Sequence, residues 1–146
     1  MILDHFLTVS DAQALTASAG STNIIDMHIT GRKTGAGEPM AFVVFVDVAA
    51  DGTTTDETYT FGIQTDDDVA FGSATTLSTT AITYGNLTAG SKHVLFLDPS
   101  WTFEAYTRLY YTLGGTTPTV TVTAALMPVS AIEAVTAYPN NYTITH

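Results

Sequence analysis

The chain has 146 residues, four Lys and Arg against fourteen Asp and Glu, no Cys, and a formal charge of −10. A single domain of this length removes roughly 70% of its unfolded surface from water; the acidic balance repels phosphate backbones and excludes nucleic acid as a partner; the missing Cys excludes disulfides and thiolate metal sites. Charged residues are only 12% of the chain, whereas 28 threonines supply β-branched side chains suited to a pleated, half-exposed surface, so the expected class is all-β.

The opening MILDHFLTVSDAQAL lacks the basic start and apolar block of a secretion signal, and no run approaches the roughly 20 apolar residues of a membrane span. A soluble protein is expected, beginning with an N-terminal arm. NIIDMHI (23–29) reads as a strand, followed by the turn-forming loop TGRKTGAGEP. MAFVVFVDV (40–48) is apolar almost throughout, as in a strand covered on both faces. TYTFGIQT (58–65) alternates, with Tyr59, Phe61 and Ile63 on the core side. DDDVAFGSATTLSTT (66–80) breaks the alternation, and Asp66 to Asp68 carry the signal for one helical turn, because carboxylates favour helix N-termini.

AITYG is weakly strand-like and KHVLFLDP (92–99) more clearly so. In AYTRLYYTL (105–113), Thr107, Leu109 and Tyr111 share one side and Tyr106, Arg108 and Tyr110 the other. TVTVTAALM (119–127) turns Val120, Val122, Ala124 and Leu126 inward. Joined through GGTTP, these last two runs are the best hairpin candidate. The total is seven to eight strands, which an antiparallel β-sandwich of jelly-roll kind accommodates economically, with greasy faces inside and threonine-rich faces wet.

Reactive chemistry is sparse. His5, His28, His93 and His146 lie far apart, without the short spacings that preorganise a metal. Asp66, Asp67 and Asp68 lack the alternation and closing Glu of a calcium loop. GRKTGAG is glycine-rich but has no Gly-Lys-Ser/Thr unit to hold a phosphate. There is no Gly-x-Ser-x-Gly elbow, and the carboxylates fall mostly in turns. No catalytic residue, cofactor or metal is expected, and the chain is not read as an enzyme. Asn86-Leu87-Thr88 and Asn141-Tyr142-Thr143 match the glycosylation pattern, but a chain without a secretion signal does not meet the transferase. Trp101, with Phe103, Tyr106, Tyr110 and Tyr111, offers either core and interface anchors or an aromatic platform for sugars. A carbohydrate-binding jelly-roll module is therefore the alternative function.

SDAQALTASAGSTNIIDM (10–27), EPMAFVVFVDV, QTDDDVAFGSATTL (64–77) and TRLYYTLGG with TVTVTAALMP, in that order, resemble the jelly-roll capsid cement proteins of short-tailed bacteriophages. The resemblance implies a decoration protein on the outside of an icosahedral head, made in the host cytoplasm and bridging neighbouring major capsid protein subunits. It also implies a homo-oligomer, a dimer before a trimer, with no catalytic site.

The likeness ends near Pro128. Residues 1–128 then form the jelly-roll domain with its arm, and VSAIEAVTAYPNNYTITH (129–146) is a C-terminal extension, either a second arm or one more strand or short helix of the same domain. Extended, its 18 residues reach roughly 60 Å. The candidate capsid or subunit contacts are Ile2, Leu3 and Phe6 in the opening segment, Arg32 and Lys33 in the glycine-rich loop, and Ile132, Val135, Tyr138 and Tyr142 in the extension.

Overall fold

The protein's structure, a computed structural model, describes residues 7–27 and 37–136, and the side chains of 133–136 are not among what it describes. Among the described residues there are nine strands and one α-helix, besides a short 3-10 turn at Tyr84–Asn86: β1 (Thr8–Leu15), β2 (Ala19–Gly20), β3 (Ile25–Asp26), β4 (Met40–Val48), β5 (Thr58–Asp66), β6 (Thr75–Ile82), β7 (Lys92–Phe96), β8 (Tyr106–Gly114), β9 (Val120–Pro128) and α1 (Val129–Thr136). That helix is too short to cross a membrane.

Two antiparallel sheets face each other, one ordered β1-β9-β4-β7 and the other β2-β8-β5-β6, with β3 also pairing β8. β2 and β3 pair with successive stretches of β8, at Tyr110 and Tyr111 and then at Tyr106 and Thr107, so they act as one interrupted strand. Counted that way, the pairs β1·β9, β2/β3·β8, β4·β7 and β5·β6 are nested, first with last and inward to the middle. A long hairpin wound on itself gives this order, and the further pairs β4·β9 and β5·β8 close the winding into two sheets. It is the jelly-roll arrangement.

Alternation decides what faces inward. From the first sheet come Val9, Leu15, Phe42, Val44, Val46, Leu95, Val120, Val122, Ala124 and Leu126; from the second, Ile25, Tyr59, Phe61, Ile63, Leu109 and Tyr111. Phe103 and Leu87 enter from loops, and all form one cluster. Phe61 meets Tyr111 edge-on, ring centroids 5.4 Å apart. The Tyr111 hydroxyl, wholly buried, lies 2.8 Å from Ser10 Oγ and so links β8 in one sheet to β1 in the other. Burial pushes that hydroxyl above its ordinary pKa, so it stays neutral. Tyr59 works similarly at one end of the sandwich, its hydroxyl donating to Asp51 O at 2.8 Å and accepting from Thr119 N at 3.2 Å.

Three sequence expectations are corrected. β8 and β9 do not form a hairpin: they lie in different sheets, and GGTTP crosses between them. Each strand has a stronger partner elsewhere, β8 matching β5 from Tyr106↔Asp66 to Gly114↔Thr58, and β9 running along β4. Gly115 has φ +91°, where a Cβ would stand 2.4 Å from Asp56 O, and Asp56 accepts from Thr116 N and Thr116 Oγ1 at 3.1 and 2.9 Å. The turn is thus fastened to the β4–β5 loop. Residues from Thr8 onward are not an arm, because β1 pairs with β9 and drops Val9 and Leu15 into the core. Asp66 to Asp68 begin no helix: Asp66 Oδ1 takes Asp68 N at 3.0 Å and Oδ2 takes Ser73 N at 2.9 Å, closing a loop. The carboxylate satisfies backbone amides, as a cap would, without helical continuation.

Removing only the inter-sheet hydroxyl contact, as in Tyr111→Phe, is expected to cost about 1 kcal/mol. Phe61→Ala, which empties the space against Tyr111, is expected to cost about 3–5 kcal/mol. Urea unfolding followed by circular dichroism and Trp101 fluorescence measures both; equal costs for the two would contradict this division of labour.

Candidate functional site

The outer faces of the two sheets differ in chemistry. On the first, the alternation that sends Phe42 and Val44 inward turns Ala41, Val43 and Phe45 outward, in register with Met127, Ala125 and Thr123 on β9 and with Phe96, Val94 and Lys92 on β7. The continuous apolar run in β4 therefore has two buried faces because α1 lies across the outer one. Ile132 packs into a second cluster with Ala41, Val43, Ala125 and Met127, with Val129, Phe45 and Val94 at its margin. α1 is tied down by Val129 N to Pro39 O at 2.9 Å and by Ser130 Oγ to Glu38 Oε1 at 3.1 Å. Phe96, at the edge of this face, stays 61% exposed.

On the second sheet the outer face is polar and aromatic. Arg108 extends across it, its guanidinium carbon 4.1 Å from the centroid of Phe71 and 5.1 Å from that of Tyr110. Its Nε donates to Gln64 Oε1 at 3.0 Å. Gly20 makes this position possible, since a Cβ there would lie 2.9 Å from Arg108 Nη1. Phe71 arrives from the Asp66 loop with φ 54°, held by Phe71 N to Asp68 O at 3.0 Å. The Asp68 amide foremost, with that of Ser73, holds the Asp66 carboxyl below its usual range.

The groups that could do chemistry do not converge. A groove of about 340 Å³ runs between Glu57–Thr60 and Ala81–Tyr84, and Glu57 is its one carboxylate, with no histidine among the lining residues. Glu57 Oε1 accepts from Thr54, while Oε2 is buried without a hydrogen bond. His93 is half-buried on β7 with Ser91 Oγ 3.2 Å from Nε2. Among the described residues, no three His, Asp or Glu side chains gather as a metal cage. Trp101 packs edge-on against Phe103, which is fully buried, at 6.3 Å.

Of the contacts expected from sequence, Ile132 is 9% exposed and lies against its own sheet. Val135 falls within α1 by backbone. Ile2, Leu3, Phe6, Arg32, Lys33, Tyr138 and Tyr142 lie outside the described residues. The Phe71–Arg108–Tyr110 stack and the apolar outer face were not singled out from sequence; the unbroken run Ala41–Val46 was the available signal for the latter.

Arg108→Ala is expected to cost about 1–2 kcal/mol through loss of the ring contacts and the Gln64 bond, and Arg108→Lys to recover less than half, because an ammonium cannot lie flat between rings. Thermal and urea unfolding read this out. A separate expectation concerns pH. Burial lowers the His93 pKa from 6.5, an effect only partly offset by hydrogen bonding with the Asn86 backbone. The unfolded chain therefore takes up this proton first. The contribution is complete above pH 6.5 and is lost as pH falls below it toward the folded value, ahead of the aspartates, whose ordinary value is 3.8. His93→Gln should flatten the slope of unfolding free energy in that window; an unchanged slope would assign it to other groups.

A family model described as Bbp16 matches residues 9–127, the span from β1 to the end of β9. No curated protein matches the chain. Among solved structures, one titled "Crystal structure of PirA" aligns at 10% identity and a TM-score of 0.35, covering 81% of this chain and 95% of that one. A likeness so distant informs neither fold nor function. The match across both sheets is what identifies the molecule: the chain belongs to the Bbp16 family of phage proteins.

Proposed function

We propose that this is a structural virion protein that binds the outer surface of an icosahedral phage head and holds neighbouring major capsid protein subunits together. Membership in a phage family across the whole sandwich carries the reading. The fold is consistent with it on physical grounds. A clamp needs two contacts on one stiff body, because once the first contact forms the second is effectively intramolecular and resists separation of the subunits. Two sheets pinned through Ser10–Tyr111 and Tyr59 supply the stiffness.

The outer faces are the surfaces available for contact. Phe96 at the margin of the first sheet and the Arg108 stack on the second are side chains of the kind enriched at interfaces. A stable contact would bury about 1,200–2,000 Å² in total. The charge of −10 favours the exterior, since packaged DNA would repel it inside. The opening segment and the residues after α1 serve as arms to coat protein or to a sister copy, and the protein self-associates. Catalysis has no part in this role.

Heads assembled without the chain and then expanded should bind the purified protein saturably and stoichiometrically in co-sedimentation, and should resist heat better once decorated. Absence of binding would overturn the proposal. Residues 137–146 follow α1 in the sequence, and a variant lacking them is expected to keep its unfolding midpoint while attaching more weakly; full-strength attachment would take the C-terminal arm out of the role.

A further inference from the structure

The Arg108 guanidinium is fixed on several sides at once, by the Phe71 ring at 4.1 Å, the Tyr110 ring at 5.1 Å, Gln64 Oε1 on its Nε at 3.0 Å and the bare backbone of Gly20 beside Nη1. These contacts use its flat faces and one nitrogen. Nη1 and Nη2 carry the rest of its N–H donors, and no acceptor among the described residues takes a hydrogen bond from either.

The chain's own carboxylates do not fill that gap. Asp66, whose charge acts on Arg108, gives Oδ1 to Asp68 N and Oδ2 to Ser73 N instead of forming an ion pair. The ground beside the fork is neutral. The outward positions of β5 next to Arg108, Tyr110 and Thr112 are Gln64, Gly62 and Thr60, and β6, the strand beyond them, has no charged residue. A long side chain loses rotamer entropy when it is fixed; here that loss is taken in the free protein, so a group that binds the fork does not have to impose it.

We propose that the Arg108 fork receives an aspartate or glutamate side chain of the major capsid protein, held by Nη1 and Nη2 together on the outer face of the second sheet. The inference deepens the head-binding reading and rests on it for the identity of the partner. Charge and shape select the occupant. A carboxylate is planar and offers two acceptor oxygens to a planar pair of donors, which gives a charge-assisted contact stronger than a neutral one. Rings and threonines around the fork let a protein surface close over it and exclude water, as happens around the arginine anchors of interfaces. The same donors suit a phosphate, but a polyphosphate must approach a chain of charge −10 against its field. A single carboxylate set in a coat surface meets the neutral face alone.

The test uses the full chain and expanded, undecorated heads, with every variant kept below its own unfolding midpoint. In co-sedimentation Arg108→Gln should attach about 10- to 100-fold more weakly, and Arg108→Lys should recover only part of the loss, because an ammonium does not match both oxygens. Added salt should weaken the wild-type chain more steeply than Arg108→Gln. A merely structural role would not move that slope. Arg108→Lys also allows the contact to be trapped, since a carbodiimide condenses a lysine amine with a touching carboxylate into an amide. Mass spectrometry of decorated heads treated this way should find the peptide carrying the substitution joined to a coat peptide through Asp or Glu. Wild-type and Arg108→Gln chains that bind heads equally, with one salt slope, would overturn the inference while leaving head binding intact. So would a substitution that abolishes binding to acidic sugars in a glycan screen and leaves attachment unchanged, since that makes a sugar acid the occupant. A wild-type chain that does not bind heads at all removes the head-binding reading, and this inference with it.

Discussion

Burial of two inner sheet faces against each other is the constraint from which the rest of the molecule follows. Each face alone would expose a row of large apolar side chains, Phe42, Val44 and Val46 on one, Tyr59, Phe61 and Ile63 on the other, and only their mutual contact removes both rows from water. The two tyrosines add what aliphatic residues cannot. Their rings fill the core, and their hydroxyls reach polar groups beyond it, Ser10 in one case and the Asp51 and Thr119 backbone in the other. Polar anchoring at the ends of an apolar layer fixes how the sheets sit on each other, where greasy contact alone would tolerate sliding.

The sequence made the class of fold and the individual inner faces readable because alternation is local. β4 spans the residues expected of it, and the alternating positions of β5, β8 and β9 point inward as their period requires. Pairing was less legible. GGTTP between two alternating runs carries every local sign of a hairpin, yet β8 and β9 each gain more from β5 and β4 than from one another, and no short-range signal encodes that comparison. β1 was hidden for a related reason. TVSDAQAL has little intrinsic strand preference, and it is a strand because the open side of β9 offers hydrogen bonds and the core accepts Val9 and Leu15. The surface features were harder still, since Gln64, Phe71 and Arg108 are brought together only when β5, β8 and the Asp66 loop converge.

α1 shows how one sheet can be covered on both sides without a third layer. Two of its residues, Val129 and Ile132, pack with Ala41, Val43, Ala125 and Met127, where a solvent-facing sheet would carry threonine, as the second sheet does at Thr60 and Thr112. The extension beyond Pro128 is thus part of the packed body through α1.

Edges decide how such a body assembles. A jelly roll, unlike a closed barrel, leaves strands with unpaired backbone groups at both ends of each sheet. If β6 of one copy met a different edge of the next, the contact would be head-to-tail and would continue into a filament. The bulges of β1, the fragments β2 and β3, and the brevity of β7 deny it that choice. β6 alone keeps an uncharged eight-residue run without such protection.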